Sequence, residues 1–278
     1  MEGKTVVATG ATSGIGEVAV VELAKMGARI VFVARDARRA EATLAALERV
    51  APGRGHRFHL ADLSLVAEAQ RVGGAIAASE PRLDALVNNA GAMFSGRRVT
   101  AEGLEMTFAL NHMAYFALTQ ALSARLVASA PARIVSTASA AHLRARLDFD
   151  DLQCARGYSA WKAYSRSKLC NILFTRELAR RLAGTGVTAN CLHPGFVASR
   201  FGDEAGGWTT PLFALAKRLA AISPERGAAT IVHLVSAPAA AEISGAYFVD
   251  RKPQAPSPAA RDDATARLLW ERSEAIAG

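Results

Sequence analysis

The sequence predicts an α/β fold, a single doubly wound domain whose seven-stranded, mainly parallel sheet has helices on both faces. Short continuous apolar runs alternate with longer segments of helical periodicity along the chain. Such runs are typical of parallel strands that are buried on both sides. Aromatic residues make up only 6% of the chain, which favours helices packed closely on a sheet over a β-sandwich. No break in composition divides the 278 residues, so one domain is expected over 1–278.

The strands are predicted where β-branched and apolar residues run without interruption, usually up to a glycine or a polar residue. They fall at Thr5–Thr9, Arg29–Ala34, His56–Leu60, Leu83–Val87, Arg133–Thr137, Val187–Leu192 and Ala246–Val249. Right-handed connections between such strands give a doubly wound sheet, the Rossmann arrangement. Ligands bind such a sheet at the carboxyl edge of its strands.

The helices are predicted from apolar residues at helical spacing together with terminal signals. Gly27 is a suitable C-cap for the first helix, Ser64 a suitable N-cap for the third, and Pro224 suits a first turn. The predicted ranges are about Gly14–Met26, Ala40–Val50, Ser64–Ser79, Ala101–Leu110, His112–Ser129, Tyr158–Leu182, Pro224–Ser236 and Ala259–Ala275. Residues 251–278 are expected to form a C-terminal tail that includes the last of these helices.

The composition restricts the compartment and the partners. The three cysteines, Cys154, Cys170 and Cys191, have neither disulfide nor zinc spacing, which favours a reducing compartment, and we expect a cytoplasmic protein. No secretory signal or membrane-spanning segment is visible, although peripheral membrane contact stays open. The net charge of +8 fits nucleic acid, an acidic surface or an anionic cofactor. No basic run with interleaved aromatic residues supports nucleic acid.

A glycine-rich turn follows the first predicted strand and opens the first helix. Backbone N–H groups at such a helix N-terminus bind a pyrophosphate, and glycine allows the close approach. The spacing is Gly-x-x-x-Gly-x-Gly, and the binding residues are expected to be Gly10, Thr12, Ser13, Gly14, Ile15 and Gly16.

The end of the second strand bears on which dinucleotide binds. Arg35 is suited to a ribose 2′-phosphate, and it favours NADP(H). Asp36 keeps NAD(H) possible, because a carboxylate there binds a 2′-hydroxyl. The alternative for Asp36 is an N-cap of the following helix.

A tyrosine and a lysine at i and i+4 suggest proton-transfer chemistry. Tyr164 and Lys168 share one face of a predicted helix, and a nearby ammonium is expected to lower the pKa of the phenol. A tyrosine tuned in this way exchanges a proton with an alcohol oxygen. Ser139 follows the fifth strand and Asn88–Gly91 the fourth, so both are expected at the same sheet edge as the glycine-rich turn.

These motifs together resemble the short-chain dehydrogenase/reductase family over nearly the whole chain. The resemblance implies a catalytic tetrad of Asn111, Ser139, Tyr164 and Lys168, in which Asn111 positions a water beside Lys168. It also implies that Tyr164 and Lys168 contact the cofactor. Further cofactor contacts implied by the resemblance come from Asp62, Leu63, Asn89, Ala90, Gly91, Pro194, Gly195 and Val197.

A narrower resemblance is to the retinol dehydrogenase branch, which also includes the WW-domain-containing oxidoreductases. It is carried by Asn111–Phe116, Ala141-His142, Asp151–Gln153, Tyr164–Asn171 and Gly245–Asp250. The resemblance implies NADP(H) and hydride transfer between nicotinamide and a carbonyl or alcohol. A protochlorophyllide reductase activity ranks lower, and a catalytically idle dinucleotide sensor that binds partner proteins is the alternative from another class.

The substrate side is predicted from one variable segment. Residues 196–223 are expected to form a substrate loop, and their apolar side chains suggest a lipophilic aldehyde, ketone or alcohol. The expected contacts are His142, for which a structural role is the alternative, and Phe196, Phe201, Trp208 and Phe213. No metal site is predicted. A homodimer or homotetramer through the two long helices, about 112–129 and 158–182, is possible by family resemblance.

Overall fold

A computed structural model describes residues 1–195 and 222–278. Its central sheet contains eight strands in the order β3-β2-β1-β4-β5-β6-β7-β8, and all neighbours are parallel except the antiparallel pair β7–β8. The strands are β1 Thr5–Thr9, β2 Arg29–Ala34, β3 Arg57–Leu60, β4 Ala85–Asn88, β5 Ala132–Thr137, β6 Val187–His193, β7 Tyr247–Val249 and β8 Lys252–Gln254. The predicted mainly parallel α/β fold is confirmed, with one strand more than the sequence suggested.

Helices cover both faces of this sheet. One face carries α1 Gly14–Lys25, α2 Ala37–Val50 and α7 Pro224–Ser236, which pack over an apolar layer around Val6, Ile30 and Phe32. The other face carries α3 Val66–Ser79, α5 Ala114–Ala128, α6 Ala160–Arg181 and α8 Asp263–Ala277. Every residue of β1 is buried, as expected for a strand covered on both sides. No helix of the described residues is long and apolar enough to cross a membrane.

The eighth strand belongs to a tight hairpin that the sequence did not predict. Asp250 and Arg251 both have positive φ, 47° and 65°, which is the backbone of a two-residue turn of type I′. Such turns usually contain asparagine or glycine, so Asp-Arg gave no signal. The strand itself contains Pro253 at the sheet edge, where no backbone donor is needed.

The helix around residue 111 differs from the two predicted helices. A short helix α4, Met106–Phe108, continues through a π-helical turn at Ala109–Met113 directly into α5. The prediction of a helix from Ala101 was wrong, because residues 100–105 form a turn with Gly103 at a φ of +81°. Glu105 ends that turn, and its carboxylate caps the N–H groups of Thr107 and Phe108.

Two further helix starts depend on contacts that sequence spacing did not resolve. The helix α2 begins at Ala37, because Asp36 accepts a hydrogen bond from the backbone N–H of Arg39 at 2.9 Å. The sequence predicted that Ser64 caps α3, but Ser64 forms hydrogen bonds with Asp62 instead. The N–H groups of Val66 and Ala67 are bound by the distant carboxylate of Glu102.

Candidate active site

The glycine-rich turn lies between the carboxyl end of β1 and α1. Gly10 and Gly14 have φ values of +64° and +58°, which other residues rarely adopt. A Cβ on Gly16 would overlap the carbonyl oxygen of Gly10, so the helix packs directly on the turn. Ser13 is the N-cap of α1 but makes no side-chain cap bond. The first turn of α1 therefore presents backbone N–H groups that suit a phosphate.

The ends of three strands are joined beside this turn. The Thr9 hydroxyl accepts hydrogen bonds from the N–H groups of Asn89 and Ala90, at 2.9 and 3.0 Å. The Asn89 amide donates to the Gly10 carbonyl, and its oxygen accepts from the Thr137 hydroxyl at 3.0 Å. The predicted Asn89–Gly91 segment thus supports the glycine-rich turn and β5 from one position.

Three members of the predicted tetrad meet at the end of β5. Ser139 follows this strand, and its hydroxyl shares a hydrogen bond with the phenol of Tyr164. The Lys168 ammonium donates to the Thr137 carbonyl at 2.9 Å and lies 5.7 Å from the centre of the Tyr164 ring. Tyr164 is 9% exposed and Lys168 3%. The spacing of Tyr164 and Lys168 therefore does place both on one face of α6, beside Ser139.

Burial sets the electrostatics of this pair in the protein alone. Loss of solvation raises the pKa of Tyr164 to about 12, although the hydrogen bond from Ser139 acts in the opposite direction. The same loss of solvation lowers the pKa of Lys168 to about 7. The sequence suggested a lowered phenol pKa, and the chain without a cofactor has the opposite direction because loss of solvation is the largest effect on the phenol.

The fourth member, Asn111, lies in the π-helical turn. Its side chain accepts from the Ala92 N–H at 2.9 Å and donates to the Ala92 carbonyl at 3.0 Å. It also donates to the Ser167 hydroxyl at 2.9 Å. A Cβ on Gly91 would meet Asn111 Oδ1 at 3.1 Å and Lys168 Nζ at 3.7 Å, so glycine permits this close approach. Asn111 thereby ties the segment after β4 to the helix that carries Lys168.

The predicted adenosine-binding residues border one cavity of about 390 Å³. Arg35, Asp62 and Ser64 approach it from the strands β2 and β3, while Phe94, Arg98, Met106 and Leu110 come from the segment after β4. Leu63 follows Asp62 in the sequence, and its side chain is buried. Asp36 serves as the N-cap of α2, which is the structural alternative that the sequence left open.

His142 is held by the C-terminal part of the chain. It is fully buried, and its Nδ1 lies 2.7 Å from the Ser139 carbonyl oxygen. Its Nε2 accepts from the Ser257 N–H at 3.1 Å, so both ring nitrogens are engaged. These contacts match the structural role rather than a substrate contact. Another buried histidine, His112, also contacts the C-terminal part of the chain, since its Nε2 lies 2.8 Å from the Ser273 hydroxyl of α8.

Two exposed apolar side chains near the catalytic residues escaped sequence analysis. Leu143, in the 3₁₀ turn after Ser139, is 59% exposed, and Trp161, one turn before Tyr164, is 56% exposed. The rings of Trp161 and Tyr164 lie 6.1 Å apart. Neither residue belongs to a recognisable motif, and only their proximity to Ser139 and Tyr164 in the fold makes them candidates for substrate contacts.

The remaining predicted positions are placed only in part. Pro194 and Gly195 follow β6 at the same sheet edge, and Gly195 has a φ of +91°. Phe196, Val197, Phe201, Trp208 and Phe213 lie outside the described residues. Within residues 1–195 and 222–278, no three histidine, cysteine or acidic side chains are grouped as metal ligands.

Comparison with known proteins gives one consistent picture. The family model for short chain dehydrogenase matches residues 4–209. Human retinol dehydrogenase 14 is 40% identical over all of this chain and 87% of its own length. A crystal structure from Mycobacterium paratuberculosis, 32% identical, covers 99% of this chain and 94% of its own with a TM-score of 0.79. The Pseudomonas aeruginosa RhlG/NADP active-site complex, 29% identical, covers 89% and 94% with a TM-score of 0.72.

Proposed function

The chain belongs to the short-chain dehydrogenase family, in its retinol dehydrogenase branch, and from this premise we propose that it is an NADP(H)-dependent reductase or dehydrogenase of lipophilic carbonyls and alcohols. As a member it is an oxidoreductase acting on CH–OH and C=O groups. The observation that carries the proposal is the linked set of Ser139, Tyr164 and Lys168 beside a glycine-rich turn.

The residues at the sheet edge fit a nicotinamide dinucleotide. The uncapped first turn of α1 suits its pyrophosphate, and the Gly91 backbone leaves room beside Asn111 and Lys168. Arg35 lines the adenosine-end cavity and favours a 2′-phosphate. The RhlG complex contains NADP, which supports the same preference by similarity.

The chain's own residues supply positioning and proton transfer. A bound nicotinamide dinucleotide donates or accepts the hydride. Ser139 and Tyr164 both bond to the substrate oxygen and stabilise the charge that develops there. Tyr164 gives its hydroxyl proton to that oxygen during reduction and takes it back during alcohol oxidation. The Lys168 ammonium favours the phenolate form of Tyr164.

Cofactor binding changes the balance that burial imposes on this pair. In the protein alone, burial of Tyr164 and Lys168 opposes the charged form of each group. An added positive charge on oxidised nicotinamide favours the phenolate. The Lys168 ammonium would donate hydrogen bonds to hydroxyl groups of a bound dinucleotide, which would replace water around the charge. We therefore expect the phenol pKa to fall when oxidised dinucleotide binds.

Two exposed apolar side chains support a lipophilic substrate. Leu143 and Trp161 expose large hydrophobic surfaces next to Ser139 and Tyr164. Burial of such surface by a ligand contributes roughly 25 cal/mol per Å². Long-chain or polycyclic carbonyls gain this energy, whereas short aldehydes reach only the reacting groups.

A substrate series tests this proposal. Oxidation of NADPH is followed with straight-chain aldehydes from three to twelve carbons, and NADH is run in parallel. We expect kcat/KM to rise with chain length and to be higher with NADPH. Trp161→Ala is expected to lower kcat/KM about tenfold for the longest aldehyde, with little change for the shortest.

Two outcomes would contradict it. A preference for short, polar carbonyls would remove the lipophilic assignment but leave the chemistry. Dinucleotide binding without turnover on any carbonyl or alcohol would favour the idle sensor over an enzyme.

A further inference from the structure

The cavity that Arg35 lines contains a second guanidinium. Arg98 comes from the segment after β4, a strand on the opposite side of β1 from β2 and β3, and it borders the same cavity as Arg35, Asp62 and Ser64. Neither motif spacing nor the family resemblance pointed to Arg98. Its position therefore raises the question of which part of a dinucleotide it meets.

Arg98 is held in place by a backbone hydrogen bond and by a contact of its guanidinium with an aromatic ring. Its carbonyl accepts a hydrogen bond from the Met106 N–H at 3.0 Å. The guanidinium carbon lies 5.6 Å from the centre of the Phe94 ring, a cation–π distance. Phe94 is itself buried, and its carbonyl accepts from the Tyr158 hydroxyl at 2.9 Å. Packing against the ring limits the positions of the guanidinium without using its N–H groups.

The charges around the cavity favour an anion. Asp62 is its single carboxylate among the described lining residues, and Asp62 Oδ1 already accepts bonds from the N–H and hydroxyl of Ser64. No salt bridge of Arg98 occurs within the part of the chain that the structure describes. The exposed Arg98 guanidinium beside this single, already engaged carboxylate suits a phosphate dianion, which accepts charge-assisted bonds from several N–H groups.

We propose that Arg98 is a second recognition residue, together with Arg35, for the 2′-phosphate that distinguishes NADP(H) from NAD(H). The inference rests on the proposed function, since it assumes that adenosine occupies this cavity. It adds a contact from the segment after β4, so that the phosphate is bound by residues from both sides of β1.

The test is a binding measurement that needs no turnover. Isothermal titration calorimetry of the full chain uses 2′,5′-ADP and 5′-AMP, which share the adenosine but differ in the 2′-phosphate. Arg98→Gln is compared with Arg97→Gln, because the neighbouring Arg97 is also exposed but does not line the cavity. A charge-assisted hydrogen bond of about 1.5 kcal/mol corresponds to roughly tenfold in affinity.

We expect Arg98→Gln to weaken 2′,5′-ADP about tenfold and 5′-AMP less than twofold, and Arg97→Gln to change neither by more than twofold. The Arg98 effect is expected to shrink at high salt, because the group is exposed. Equal losses for both ligands would place Arg98 on the adenine ring and overturn the inference. Equal losses in the two variants would reduce it to a general charge effect and also overturn it.

The role of Arg98 and the NADP(H) assignment can be disproved separately. If the unaltered chain binds 2′,5′-ADP tightly and Arg98→Gln does not change this, only the role of Arg98 falls. If the unaltered chain binds neither 2′,5′-ADP nor NADPH, the NADP(H) assignment falls, and the inference falls with it.

Discussion

The catalytic centre and the adenosine-end cavity lie at the same sheet edge but differ in burial. Tyr164 and Lys168 are nearly inaccessible, and each is held by hydrogen bonds within the protein. Arg35 and Arg98 are exposed to solvent around their cavity. Buried groups with shifted pKa values act as a unit, so removal of one disables the chemistry. Exposed cations act in graded, salt-dependent steps, so we expect Arg35 and Arg98 to change cofactor affinity only by degrees.

Removal of the Tyr164 hydroxyl is expected to have the largest effect on activity. Tyr164→Phe keeps the ring in place but removes the group that exchanges the proton, so kcat should fall about 10³-fold while the Kd for NADPH stays unchanged. Single-turnover NADPH oxidation and titration calorimetry measure the two quantities.

Tyr158→Phe is the matched control, since the Tyr158 hydroxyl donates to the backbone carbonyl of Phe94 and has no contact with Ser139. Carbonyl reduction by Tyr164→Phe at near the normal rate would remove Tyr164 from the chemistry.

Replacement of Lys168 tests the cost of the buried charge. Burial lowers the Lys168 pKa to about 7 in the folded chain, below the unfolded value near 10.4. Between these values the unfolded state binds more protons, so stability rises with pH from about 7 to 10.4. At pH 6, Lys168→Met should stabilise the dinucleotide-free chain by about 2–3 kcal/mol, and it should abolish most activity.

The variant leaves the Thr137 carbonyl with one partner, because Asn171 also donates to it at 3.2 Å. The difference in Tm between the variant and the unaltered chain should narrow as pH rises towards 10. Lys162→Met, at a less buried position on α6, should show no such pH dependence. A lower Tm for Lys168→Met at pH 6 would show that the buried ammonium is not destabilising.

Replacement of Arg35 tests how the exposed cations affect cofactor binding. Arg35→Ala should weaken NADPH about 10- to 30-fold and NADH by less than threefold, because only the 2′-phosphate loses a charge-assisted partner. Titration calorimetry at 50 and 300 mM salt should show a smaller difference at the higher concentration. Equal weakening of both cofactors would place Arg35 away from the phosphate.

Asp36 gives the smallest expected effect and sharpens the comparison. Its carboxylate caps α2, so Asp36→Ala should lower the free energy of unfolding by about 1 kcal/mol in urea titrations. The ratio of NADPH to NADH affinity should stay the same. A shift of that ratio towards NADPH would show that Asp36 also contacts the ribose.

Local patterns predicted most of the sheet, whereas the tetrad that includes Asn111 and Ser139 was implied by family resemblance. The seven parallel strands appeared as apolar runs, and the helical spacing of Tyr164 and Lys168 implied a shared face. The features that the sequence did not predict depend on contacts between distant residues, such as the cap that Glu102 provides for α3. The exposure of Trp161 and the position of Arg98 on the cavity likewise could not be predicted, because both depend on how the folded elements pack together.

The long-range contacts of His112 and His142 have a consequence for synthesis on the ribosome. His142 and Ser257 are 115 residues apart, and His112 and Ser273 are 161 apart. While the chain is still being elongated, the segments beside Asn111 and Ser139 lack these partners. Contacts of such sequence separation form late and slowly. A nascent chain that has already folded its glycine-rich turn and bound a dinucleotide would therefore still have an unfinished catalytic edge until residues 257 and 273 have emerged.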